Sequence, residues 1–198
     1  MSNERYVKVQ KYKFDNDKIR SVLVYLLLRI GLLKEFYYKD KPGLILQENG
    51  KPGLADASKI KFNMSHCKKA VACAISKYEV GIDVQELVVY DEGLGKTVLS
   101  NREKKFVEHS ADKNAAFTRL WAQKESYGKY MGCGIVYDLK STEFNDDRWI
   151  ENNNECVTTI EEFADFVLAT YSLEHLDKQM ITYDDLLYYI GFFEQADD

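Results

Sequence analysis

The chain has 198 residues, 45% of them hydrophobic, and a net charge of −5. That length allows one large domain or two small ones, and the composition can supply a core. Two prolines and 11 glycines leave no low-complexity tract. The longest apolar run, Val22 to Leu28, is bracketed by Arg20 and Arg29 and is too short to span a bilayer. The polar first 20 residues hold no signal-peptide core, so a soluble, cytoplasmic protein without a membrane partner is expected. Residues 1–140 carry 25 Lys+Arg against 17 Asp+Glu, and residues 141–198 carry 2 against 15. A basic body suits a polyanionic ligand or an acidic partner, and an uneven solvated surface explains it equally well. The acidic balance and the lack of interleaved Arg and aromatics lead to the expectation of no nucleic-acid partner. Cys67, Cys73, Cys133 and Cys156 form no C-x-x-C pair, and His66, His109 and His175 complete no zinc spacing. Reduced, mostly buried thiols are expected.

In chain order, Asp15 to Tyr38 reads as a helix burying Ile19, Val22, Leu23, Leu26, Leu27 and Ile30, with a kink possible at Gly31. Turn signals at Lys41-Pro42-Gly43 and Gly50-Lys51-Pro52-Gly53 flank a strand, Leu44 to Gln47. Phe62 to Ser65, Ala70 to Ser76 and Val80 to Val84 read as three further strands. Ser100-Asn101-Arg102-Glu103 fits a capping box. A long helix follows from about Asp112 to Met131 and ends at Gly132. Asp138 to Phe144, Glu155 to Thr159 and Phe163 to Ser172 have strand character, and Thr182 caps a final helix to Ile190. The alternation favours an α/β (α+β) fold with two similar-sized lobes.

Three segments can carry chemistry. In Val80-Gly81-Ile82-Asp83-Val84-Gln85, Asp83 and Gln85 project to one face of a strand. Two oxygen-bearing side chains there can share a hard cation such as magnesium, or they simply mark a polar strand end. In Trp121 to Tyr130, Trp121, Glu125, Gly128 and Lys129 share one helical face. Glu125 and Lys129 form a surface ion pair or, on a buried face, need a metal or phosphate beside them. In Phe62 to Cys67, His66 follows Ser65 without a G-x-S-x-G elbow. A phosphate-binding imidazole and a structural histidine both fit.

Together these segments resemble the Sfp-type 4′-phosphopantetheinyl transferases. The family's G-K-P turn, F-N-x-S-H segment, G-I-D-x-E strand and W-x-x-K-E-S-x-x-K helix correspond to Gly50-Lys51-Pro52, Phe62 to His66, Gly81 to Gln85 and Trp121 to Lys129. With a basic N-terminal region before them, the resemblance runs from about residue 5 to residue 145. It implies two lobes in pseudo-twofold arrangement, residues 1–86 and 87–198, with the active site in the cleft between them and a monomer sufficient to build it. It also implies transfer of the 4′-phosphopantetheine arm of coenzyme A to a serine of an apo acyl or peptidyl carrier protein, with Mg2+ as cofactor. Asp83 and Glu125 match the magnesium-binding acids, and Gln85 stands where the family usually has a third. The catalytic side chains are then Glu125, Lys129 and His66. Coenzyme A falls to Lys51, Ser65, His66 and Lys129, with Arg5, Lys8, Arg20 and Ser21 at its 3′-phosphoadenosine end. Lys96 to Tyr130 holds eight Lys+Arg against four Asp+Glu, which suits docking of an acidic carrier. The acidic last third is expected to lie away from that entrance. The competing expectation is a non-catalytic coenzyme A- or carrier-binding protein on the same scaffold, degenerate at Gln85.

Overall fold

A computed structural model describes residues 3–56, 59–133, 139–144, 148–151 and 154–197. Helix α1 (Asn3–Gln10) precedes α2 (Asp15–Phe36), which runs unbroken through Gly31 and ends at left-handed Tyr37 (φ 54°). Gly31 is a contact point rather than a kink. A Cβ there would lie 2.4 Å from Cδ1 of Ile75, so the missing side chain lets the helix press onto the strand below. The buried face of α2 is Ser21, Val24, Tyr25, Leu28, Arg29, Ile30 and Leu32. Of the expected face Ile30 is buried, whereas Ile19 is 54% exposed, so the buried face is rotated from the expected one. Leucines cover several sides of α2, so apolar spacing alone admits two orientations. Packing chose the one that tucks small Ser21 beneath Arg5, whose Nη2 donates to the Ser21 carbonyl at 2.8 Å.

Strands β1 (Leu44–Leu46) and β2 (Pro52–Leu54) form a small hairpin. Strands β3 (Lys61–His66) and β4 (Val71–Ser76) form a second, which carries α2 on an apolar cluster of Leu28, Leu32, Leu54 and Phe62. Strand β5 (Val80–Glu86) belongs to a different sheet. Its order is β5-β8-β7-β6, antiparallel throughout, with β6 Arg148–Glu151, β7 Asn154–Glu162 and β8 Phe166–Ser172. Asp83 is thus registered against Ala169, in a strand from the acidic last third of the chain.

Between β5 and β6 lie α3 (Glu92–Val98), α4 (Asn101–His109) and α5 (Lys113–Met131). The Ser100–Glu103 capping box is present, Asp112 caps α5, and Gly132 (φ 69°) ends it. The main core joins α4, α5 and β8 through Val107, Phe117, Leu120, Phe144 and Tyr171. The strand expected at Asp138 to Phe144 is not formed over 139–144, where the backbone turns and bends; Asp138 lies outside the described residues. Its polar groups go to side chains instead: Lys124 donates to the carbonyls of Leu139 and Thr142, and Glu103 accepts from Phe144 N–H.

Helix α6 (Tyr183–Asp197) is capped by Thr182, whose hydroxyl accepts from Asp185 N–H while the Asp185 carboxylate accepts from Thr182 N–H. It returns to α2, laying the Phe193 ring 3.9 Å from the Arg29 guanidinium. Among the described residues no helix is long and apolar enough to cross a membrane. The four thiols are free, but only Cys156 is buried and Cys133 is exposed, which corrects the expectation of mostly buried thiols.

Candidate active site

The site forms where β5 meets α5. A glycine inside a strand marks a close backbone approach, and Gly81 is such a residue. A Cβ there would fall 1.8 Å from the Ser126 carbonyl oxygen and 2.6 Å from Tyr130 N. The strand therefore lies directly on the helix backbone, which brings Asp83 beside Glu125 and Lys129. Lys129 Nζ sits 2.6 Å from Asp83 Oδ1.

Asp83 is buried, at 5% exposure. Its Oδ1 also accepts from Ser65 Oγ at 2.9 Å. Its Oδ2 is buried with no hydrogen-bond partner, an arrangement that costs about 1–3 kcal/mol or more for a charged group unless something meets it. Glu125 is held above the ordinary carboxylate range, by burial first and then by repulsion from Asp83, with Lys129 opposing. Two neighbouring carboxylates and an orphaned buried oxygen suit a hard divalent cation. Among the described residues no group of three or more His, Cys, Asp or Glu forms, so the protein offers a pair of acids rather than a cage. Magnesium is commonly held by one or two carboxylates plus water and substrate phosphates, so the donor set fits it.

Gln85 lies two residues beyond Asp83 on β5 and is half-buried. Its amide nitrogen donates to the Glu86 carbonyl at 3.3 Å, which leaves the amide oxygen as the donor it can offer. Neighbouring Glu86 does not replace the missing acid. Strand alternation turns it to the other face, and it accepts from Lys68 N–H at 2.6 Å.

His66 stands exposed at the end of β3, yet enough of the ring is covered to push its pKa below the ordinary value. Arg20, Lys129 and Arg5 push in the same direction and Asp17 opposes them. The fold thus gathers His66, Arg20, Arg5 and Lys129 into one basic group beside the acids. Arg20 is paired to Asp17 at 2.6 Å, and Lys8 is exposed on α1.

Three residues expected to contact the ligand are buried, and two of them are engaged within the protein. Ser21 has no exposed surface, so it is a packing residue in this conformation. Lys51 is buried and its ammonium donates to Glu79 (2.9 Å), Val80 O (3.0 Å) and Tyr130 O (3.2 Å). An ammonium has three protons, so none remains for a phosphate, and Lys51 ties β2 to the start of β5 and the end of α5. Ser65 is buried and engaged with Asp83, Val84 N–H and Lys129.

Sequence reasoning assigned no role to Lys124 and Asn63. Lys124 is wholly buried and paired to equally buried Glu103 at 2.9 Å. The Ser-x-x-Glu box pointed to Glu103 only as a cap; its second task is tertiary. Asn63 Oδ1 accepts from Ile82 N–H at 3.0 Å, and its alternation with Ser65 was the available signal.

Comparison with known proteins places this chain in a family. Residues 79–182 match the 4′-phosphopantetheinyl transferase superfamily, and the chain belongs to it. Among similar proteins, 4′-phosphopantetheinyl transferase psf-1 of Bacillus pumilus is 29% identical over 178 residues, covering 88% of this chain and 75% of the relative. The gsp transferase of Aneurinibacillus migulanus is 31% identical over 156 residues, 77% of this chain and 62% of the relative. The Sfp transferase of Bacillus subtilis (strain 168) is 28% identical over 145 residues, 71% and 64%. The chain thus spans under two thirds of the length of the latter two.

Proposed function

We propose that this chain transfers the 4′-phosphopantetheine arm of coenzyme A to a serine of an apo acyl or peptidyl carrier protein, releasing 3′,5′-ADP. Family membership supports the reaction class. The observation that carries the reading is the meeting of Asp83 and Glu125, distant in sequence, around an orphaned buried oxygen with Lys129 beside it. Asp83 and Glu125, with the Gln85 amide, would hold Mg2+. When bound, that ion supplies positive charge that offsets the charge building on the departing 3′,5′-ADP.

The chain's own residues do the rest. The carrier serine oxygen attacks the phosphorus bearing pantetheine, the bond to the bridging oxygen breaks, and the electron pair leaves with 3′,5′-ADP. Glu125 takes the serine proton, directly or through water. Lys129 places a fixed positive charge at the leaving phosphate. Arg20 and Arg5 present positive potential to the 3′-phosphoadenosine end, and His66, its pKa lowered beside them, offers a ring N–H as hydrogen-bond donor. Because the nucleophile belongs to the partner, this chain needs no activated Ser or Cys of its own.

The same reading places the site in a cleft between an N-terminal and a C-terminal lobe of a cytoplasmic monomer, with the acidic carrier meeting the basic stretch from Lys96 to Tyr130. Incubation with coenzyme A, Mg2+ and a panel of apo carriers, followed by weighing each carrier, tests it. A mass gain equal to the arm on at least one carrier, abolished by chelation of the metal, is expected. Tight coenzyme A binding with no gain on any carrier would instead support a non-catalytic binding protein.

A further inference from the structure

Strand β3 has no place in the β5 sheet, yet it lies against the edge of β5 opposite β8. Backbone amides on that edge need partners. Two side chains supply them: Asn63 Oδ1 takes the Ile82 amide proton at 3.0 Å, and Ser65 Oγ takes that of Val84 at 3.2 Å. Residues 63 and 65 point to the same side of β3, and residues 82 and 84 turn their amides to the same side of β5. A side-chain ladder thus replaces a backbone one, and Asp83 is the residue it brackets.

A hydroxyl has one proton and two lone pairs. Ser65 uses all three: its proton goes to Asp83 Oδ1 (2.9 Å), and its lone pairs accept from Val84 N–H and from Lys129 Nζ (3.0 Å). No capacity is left for a phosphate oxygen. Meanwhile Asp83 Oδ1 is doubly engaged, by Ser65 and Lys129, and only Oδ2 is unmet. We infer that Ser65, backed by Asn63, is a positioning residue whose hydroxyl pins one oxygen of Asp83 and aims the other at the divalent cation rather than contacting coenzyme A. The inference rests on the metal reading above.

The test reads ligand binding and not turnover. Wild type, Ser65→Ala and Ser65→Thr are titrated with Mn2+, followed by the paramagnetic signal of the free ion, alone and with 3′,5′-ADP. Coenzyme A without metal is titrated calorimetrically. Ser65→Ala should weaken Mn2+ binding about tenfold, the lower end of effects seen when a metal ligand loses its supporting hydrogen bond. Coenzyme A affinity should stay within about twofold, and Ser65→Thr, which keeps the hydroxyl, should restore the ion. Unchanged Mn2+ affinity in Ser65→Ala overturns the inference, as does a larger loss for coenzyme A than for the ion. If Ser65→Ala does not fold, Ser65→Cys with its weak S–H donor serves the same comparison. A wild-type chain that binds no Mn2+ brings down the metal reading itself, a result distinguishable from failure of the variant alone.

Discussion

Helix α5 carries two lysine–carboxylate pairs five residues apart, and they behave as opposites. Lys124 and Glu103 are sealed from solvent, and every strong group around them is satisfied: the Leu139 and Thr142 carbonyls, the Phe144 amide and the Ser100 amide all join in. Lys129 and Asp83 are partly open, with 29% of the lysine side chain exposed and one carboxylate oxygen left over. A saturated buried pair fixes geometry, whereas an unsaturated one at a surface is ready for a ligand. The sealed pair holds α4, α5 and the 139–144 segment in one arrangement, and that arrangement presents Glu125 and Lys129 to Asp83.

The comparison predicts different failures. Glu125→Ala should lower carrier modification on the order of 10²- to 10⁴-fold, the usual contribution of a positioned proton acceptor, with an unchanged circular dichroism spectrum. Retained activity in a mass-shift assay would strip Glu125 of its role. Lys124→Met should instead act on stability, costing about 3–5 kcal/mol in urea unfolding because it strands a buried Glu103. The double variant Glu103→Leu, Lys124→Met should recover most of that loss. If it does not, the pair's worth lies in its charge and not in its packing.

Smaller effects sharpen the open side. Gln85→Glu restores the acid missing from the strand and should lower the Mg2+ concentration for half-maximal transfer, about tenfold, since affinity follows ligand charge. Gln85→Ala with unaltered Mg2+ dependence would exclude direct ligation. The smallest effect is in pH. Glu125 has a raised pKa in the folded state, so between its ordinary and its raised value the folded chain keeps a proton that the unfolded chain has lost. Stability must fall as pH rises through that window. Glu125→Gln should flatten this slope and melt higher than wild type above it when Mg2+ is withheld. Thermal melts that show the same slope in both proteins would place the raised pKa elsewhere.

Much of this molecule can be read in one dimension where the physics is local. The Ser100 box, the start of α5 near Asp112, the Gly132 stop and the β3, β4 and β5 strands depend on side chains within a few residues, and each forms near the expected place. Short α1, α3, β2 and β6 have weak local signals and were not foreseen, and α6 runs past the expected end at Ile190 because Gly191 only loosens a helix it need not stop. The family's motifs brought Asp83, Glu125, Lys129 and His66 forward as candidates, and the fold puts them together.

Amino-acid order alone determined the helix and strand types, the capped ends and the residue types available for metal and phosphate. Tertiary structure decided three matters that no spacing contains. It set which face of leucine-covered α2 turns inward, because several faces were equally apolar. It committed the protons of Lys51 and the hydroxyl of Ser65 to protein partners, because donors are spent on whatever the fold brings within reach. And it left Asp83 with one oxygen unmet, because only the closing of β5 between β3, β8 and α5 can bury a carboxylate and withhold a partner from it.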